Sequence, residues 1–185
     1  MRIVAGRFRG SRLASPKSSD IRPTSDKVRQ AIFNVLAHGL DEFDIKGARV
    51  LDLFAGSGAM GLEALSRGAR YCLFIEQSAP ARALLRRNVE TLGLTGVTKI
   101  WRRDAIKLGP AGRLGRFGLA FLDPPYGKGL GENALIAAAQ GNWIEPGGIA
   151  LLEESAGAKI IVPEGYEQLD RRNYGETAIT ILRAN

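Results

Sequence analysis

The chain has 185 residues, with 26 Lys and Arg against 19 Asp and Glu and 45% apolar positions. This composition excludes a disordered chain and a collagen-like or coiled-coil rod, and it suffices for one sizeable core. The net charge of +7 is unevenly spread: residues 1–30 hold eight basic and two acidic groups, +6, whereas residues 31–185 hold 18 and 17, only +1.

The basic groups at the start are Arg2, Arg7, Arg9, Arg12, Lys17, Arg22, Lys27 and Arg29. A nearly neutral body, residues 21–185, thus carries a basic arm, residues 1–20. Such an arm attracts phosphates, because each neutralised phosphate releases condensed counterions, and it predicts a nucleic-acid partner. The competing reading is a solvated terminus that happens to be basic. Short apolar segments, residues 2–5 and 12–14, flank Gly6-Arg-Phe-Arg-Gly10 and predict a small hairpin with its basic groups at the tip. A linker of Ser, Pro and charge, residues 15–23, leads to Thr24, Ser25 or Asp26, any of which can N-cap a helix with Val28, Ala31, Ile32, Val35 and Leu36 on one face. His38, the single histidine, falls near the end of that helix, with no cysteine or acidic neighbour at ligand spacing, and no metal is expected.

From residue 47 short apolar runs alternate with helical stretches. Strands are predicted at residues 50–54, 71–75, 97–101, 119–122, 149–152, 160–162 and 178–182, and helices at 60–67 and 79–92, each stopped by a glycine. Uninterrupted apolar strands between amphipathic helices imply an α/β fold with a mostly parallel sheet covered on both faces. Cys72, the one cysteine, lies inside a predicted strand and fits a reducing compartment. With no apolar leader and no run able to span a bilayer, a soluble cytoplasmic protein is expected.

Parallel doubly wound sheets bind ligands beyond the carboxyl ends of their strands. Asp52, the loop Gly56-Ser57-Gly58, Glu76, Asp104 and Asp123 all fall there. Four carboxylates on one edge repel a phosphorylated ligand and suit a cationic one. Gly56-Ser-Gly-Ala-Met-Gly61 also matches a dinucleotide-binding pattern, with Glu76 about where a ribose acid belongs. Asp52 argues against that ligand, since it sets a negative charge where a pyrophosphate would lie, yet it can pair with the ammonium of a methionine moiety. Asp123-Pro124-Pro125-Tyr126 argues against it too, because a dehydrogenase has no use for such a segment. The prolines fix φ and remove two amide donors. Asp123 and the Pro124 carbonyl can each accept one hydrogen of an exocyclic amine, and Tyr126 offers an aromatic face to the target base.

These residues resemble a known family. Asp52-Leu-Phe-Ala-Gly-Ser-Gly58 resembles the first S-adenosylmethionine motif of class I methyltransferases, and Asp123–Tyr126 the fourth motif of those that methylate exocyclic amines. With Arg22-Pro-Thr-Ser-Asp-Lys-Val-Arg-Gln-Ala-Ile-Phe-Asn34, the whole chain resembles the RsmD family, bacterial enzymes that methylate the N2 amine of a guanine in 16S ribosomal RNA. Ala5 departs from the second glycine expected beside Gly6. The resemblance implies a Rossmann-like methyltransferase domain with a seven-stranded sheet. It implies that Asp52 and the backbone of Ala55, Gly56, Ser57 and Gly58 hold the methionine part of S-adenosylmethionine, that Glu76 takes the ribose, and that Asp104 with Ala105 reads the adenine. Asp123, Pro124 and Tyr126 would hold the flipped guanine. Arg22 to Thr24 would close over the cofactor or touch an RNA phosphate, and Arg2, Arg7, Arg9 and Arg12 would meet the rRNA. A monomer acting on 16S rRNA within a small-subunit particle is expected. Two other readings compete: a DNA adenine-N6 or cytosine-N4 amino-methyltransferase, for which the chain lacks room for a target-recognition domain, and a non-catalytic RNA-binding assembly factor, which would have little need of Asp123–Tyr126.

Overall fold

Seven strands form one sheet in the order β3-β2-β1-β4-β5-β7-β6 in a computed structural model that describes residues 1–15, 25–40 and 43–185. The strands are β1 (Arg49–Leu53), β2 (Tyr71–Ile75), β3 (Thr98–Trp101), β4 (Phe117–Leu122), β5 (Ile144–Ser155), β6 (Tyr166–Tyr174) and β7 (Thr177–Ala184). Strands β1 to β5 pair in parallel, and β7 enters antiparallel between β5 and β6. The helices among the described residues are α1 (Asp26–His38), α2 (Ala59–Ser66), α3 (Ala79–Thr91) and α4 (Leu130–Gln140).

Side chains alternate between the two sheet faces with the two-residue period of a strand. Val50, Leu119, Phe121, Ile149 and Leu151 enter one core with residues of α1, α2 and α3, whereas Leu51, Leu53, Ala120, Leu122, Ala150 and Leu152 enter the other with α4 and Trp143. Helix α1 starts where Ser25 accepts from the Val28 N–H, and it buries Ile32, Phe33, Val35 and Leu36.

The sixth expected strand, residues 160–162, is not a strand; Ile160 and Val162 pack against the core from an irregular segment. The strand is Tyr166–Tyr174, whose sequence YEQLDRRNY has no apolar run because it is an edge strand with a bulge at Gln168/Asp170. Edge strands bury little, so an apolar run does not mark them. Helix α4 was not foreseen, its alanine-rich sequence LGENALIAAAQ carrying a weak amphipathic signal. Strand β5 extends to Ile144 through Pro146 and Gly147, past a register shift against β4.

The arm is a turn closed by one antiparallel bridge, Arg2 with Arg12, and Ile3 and Leu13 are buried in the core shared with α1, α2 and α3. The Val4 and Ala5 amides donate to the two carboxylate oxygens of Glu63 at 2.7 and 2.9 Å, and those of Arg7 and Phe8 to the Ser66 carbonyl and hydroxyl at 2.8 and 3.0 Å. A Cβ on Gly6 would lie 2.0 Å from the Ser66 carbonyl oxygen, so this approach requires glycine there. Ala5 does not have a positive φ and so needs no glycine. Residues 1–14 are therefore docked rather than solvated, and their deletion removes part of the core.

Candidate active site

The carboxyl ends of β1, β2, β3 and β4 share one edge of the sheet. Register sets them level: Leu53 pairs with Ile75 and with Leu122, and Ile75 with Trp101. Immediately beyond lie the loop Phe54–Gly58, then Glu76, Asp104 and Asp123.

The glycine loop is held from three sides. Phe54 has φ +61°, a left-handed conformation rare for a side chain of this size, at the point where β1 turns into the loop. Gly56 N donates to Glu76 at 2.8 Å, and Asn88 of α3 donates to the Ser57 carbonyl at 2.9 Å. At Gly58, with φ +80°, a Cβ would lie 2.2 Å from a Leu85 methyl, so only glycine lets α2 start this close to α3.

Asp52 is 3% exposed, and its carboxylate accepts from the Gly61 N–H in the first turn of α2 at 2.9 Å. Burial pushes its carboxyl up to about 8, opposed by the Gly61 hydrogen bond and assisted by the nearby Glu76. Glu76 is partly exposed and also accepts from Ser78 N at 2.7 Å. Each of its oxygens carries a further lone pair, so two neighbouring hydroxyls remain within its acceptor capacity. Asp104 forms a tight turn, accepting from Ile106 N at 3.1 Å, next to buried Ala105. These groups set acidic side chains around a glycine cradle with no basic side chain in the loop itself, a lining that suits a cationic, hydroxyl-bearing ligand better than a phosphorylated one.

Pro124 is buried and Asp123 half-buried at the end of β4, while Tyr126 is 40% exposed. The Tyr126 hydroxyl donates to Glu153 at 2.6 Å and lies 3.1 Å from the Thr177 hydroxyl. Gly127 N donates to Glu154 at 3.1 Å. Burial, and then the Glu153 hydrogen bond, raise the Tyr126 phenol well above its ordinary range, which keeps it neutral and removes it as a general base.

The sequence reads Glu153-Glu154 as a structural close to the fifth strand and gives Thr177 no part in this edge. For the acidic pair the signal was present, because it directly follows the apolar run of a strand beside β4 and falls on the same edge that selected Asp52 and Asp123; Thr177 carried none. Asn88 and Glu63 carried no comparable signal. Arg22 and Thr24 lie outside the described residues. Arg2, Arg7, Arg9 and Arg12 are exposed on the arm, whereas Arg29 is fully buried, 2.8 Å from Asp26 and 3.6 Å from Glu63. No group of three or more His, Cys, Asp or Glu among the described residues could hold a metal ion.

The family model described as conserved hypothetical protein 95 matches residues 1–183. The chain is 31% identical to the ribosomal RNA small subunit methyltransferase D of Haemophilus influenzae over 95% of this chain and 89% of that protein. It is 36% identical to the protein of the same name from Escherichia coli K12, over 78% and 69%. The solved structure of Escherichia coli yhhF, provisionally described as a methyltransferase, superposes with a TM-score of 0.85 at 30% identity, covering 100% of this chain and 97% of that one. A match across residues 1–183, nearly the whole length, places the chain in the conserved hypothetical protein 95 family, the RsmD family.

Proposed function

We propose that the chain methylates the exocyclic N2 amine of a guanine in small-subunit ribosomal RNA, using S-adenosylmethionine. The observation that carries this reading is the rigid Asp123–Tyr126 loop on the same sheet edge as the glycine cradle, with the Tyr126 ring exposed and its hydroxyl tied back. The relatives' names give the substrate class, and the RsmD resemblance gives the amine.

S-adenosylmethionine supplies the methyl group, which passes in line to the amine nitrogen as the carbon–sulfur bond breaks and the nitrogen–carbon bond forms. The chain's part is binding and alignment, which lower such barriers by about 7–11 kcal/mol when the geometry is near attack. Asp52 and the Ala55–Gly58 backbone hold the amino-acid end, Glu76 the ribose, and Asp104 with Ala105 the adenine. Asp123 and the Pro124 carbonyl accept the two amine hydrogens and aim the nitrogen lone pair, and Asp123 receives the proton released after transfer. Tyr126, neutral, stacks on the base. Arg2, Arg7, Arg9 and Arg12 meet the RNA backbone, with the arm, residues 1–20, serving as the RNA-facing extension of the domain.

The test offers labelled S-adenosylmethionine to naked 16S rRNA, to small subunits lacking the modification and to duplex DNA, followed by nucleoside mass spectrometry. Label in N2-methylguanosine is expected. Label found only in N6-methyladenine, or none, overturns the reading. Asp123→Ala is expected to abolish transfer while calorimetric cofactor binding survives.

A further inference from the structure

We infer that Glu153, Glu154 and Thr177 are positioning residues that fix the Tyr126 ring in its base-stacking orientation before the nucleotide arrives. This deepens the methyl-transfer reading and rests on it.

Covalent stiffness along the loop ends at Pro125, because the two prolines fix their own φ while Tyr126 and Gly127 are free to turn. The clamp acts at those two residues. A phenol has one proton, and that of Tyr126 goes to Glu153 at 2.6 Å, so the 3.1 Å contact with Thr177 uses the threonine proton. The ring is thereby gripped at its hydroxyl from β5 and from β7. One residue later Gly127 N lies 3.1 Å from both oxygens of Glu154, which also accepts from Ser155 N at 2.8 Å.

The register places this clamp beside the reacting edge. Leu122 pairs with Leu152, so Glu153 stands level with Asp123, and the antiparallel pairing of Ser155 with Thr177 brings the start of β7 to the same end. Glu153 and Glu154 are 7% and 4% exposed. Burying adjacent carboxylates is unfavourable unless both have partners, and apolar residues would continue this strand at lower cost. Their partners include the loop that the proposed chemistry needs fixed. The exposed part of Tyr126 is left to meet a base.

The decisive experiment is a double-mutant cycle of Glu153→Ala and Tyr126→Phe, read by single-turnover methyl transfer to small-subunit rRNA, by cofactor Kd and by equilibrium unfolding. Glu153→Ala is expected to slow transfer roughly 10- to 100-fold, the range for losing a hydrogen bond to a charged group. Cofactor Kd should stay within about twofold of wild type, and Glu153→Gln should recover most of the rate. In a Tyr126→Phe background the Glu153→Ala loss should largely vanish, and the unfolding free energies should show the same coupling. Thr177→Val, which leaves both carboxylates in place, gives the same kinetic signature in milder form should Glu153→Ala fail to fold. Multiplying effects, or a Kd that weakens in step with the rate, overturn the positioning role. Wild-type protein that methylates no RNA while the unfolding cycle still shows coupling removes the methyl-transfer reading, and the positioning role falls with it. Wild-type transfer without coupling removes the positioning role alone.

Discussion

Asp52 sits in an environment far from its chemistry in water. Its carboxyl, raised to about 8 chiefly by burial, holds a proton in the folded chain that the unfolded chain gives up near the ordinary value of 3.8. The folded state therefore binds more protons between roughly pH 4 and pH 8. Its contribution to stability is full below the lower value and declines as pH rises through the upper one, by about 1.4 kcal/mol per pH unit at most. Asp52→Asn keeps an acceptor for Gly61 N and cannot ionise. Urea unfolding at pH 5 and pH 8 should show a smaller loss of stability in the variant, and an unchanged pH dependence would assign the titration elsewhere. If a cofactor ammonium pairs with Asp52, binding must also expel that proton. Calorimetry near pH 7 in buffers of different ionisation enthalpy should then detect proton release that is absent in Asp52→Asn.

At the scale of elements, the arm has a docked face and an exposed basic face that charge alone does not separate. Its backbone docks on α2 through Glu63 and Ser66, and Ile3 and Leu13 enter the core, while the side chains of Arg7, Arg9 and Arg12 stay exposed. Deleting residues 1–14 would therefore damage folding along with any RNA contact. The cleaner variant replaces Arg7, Arg9 and Arg12 with Gln. It should leave the unfolding free energy within about 0.5 kcal/mol of wild type, as expected of surface changes. The slope of log binding constant against log salt should fall by about 2, at roughly 0.7 per lost contact to single-stranded RNA. An unchanged slope would return the arm to a purely structural role. The +6 read from residues 1–30 also included Arg29, which is buried against Glu63 and Asp26 and so adds nothing to an RNA surface.

The elements legible in the sequence are those that obey one period. β1, β2, β4, α1, α2 and α3 show apolar residues at strand or helix spacing, and the rule that ligands sit beyond parallel strand ends then located Asp52, Glu76, Asp104 and Asp123. What stayed hidden depends on partners distant in sequence. Edge strand β6 buries too little to show a pattern, and Glu153 gains its meaning only when the chain folds Tyr126 against it, 27 residues away.

In the whole molecule, Glu63 ties the arm, α1 and the end of α2 together from inside the core. It is fully buried, accepts from Val4 and Ala5 of the arm, pairs with Arg67 at 2.8 Å and lies 3.6 Å from Arg29 of α1. Removing one member of a buried ion cluster strands the others, at a typical cost of about 3–5 kcal/mol. Glu63→Ala should therefore lower stability by that amount in urea or thermal unfolding, and a loss under about 1 kcal/mol would show that the cluster is dispensable. Asn88 extends the same linkage from the end of the arm, Ala14, to Ser57 of the glycine loop.

The reversed strand β7 also sets an order in time. Thr177 lies 51 residues after the ring it supports. At translation rates of about 5–20 residues per second, roughly 3–10 s separate the synthesis of Tyr126 from that of its last support. A ribosome making this protein thus releases the Asp123–Tyr126 loop first and its finished setting later, so an incomplete chain still attached to the RNA-rich particle that made it lacks the fixed ring with which to act on RNA.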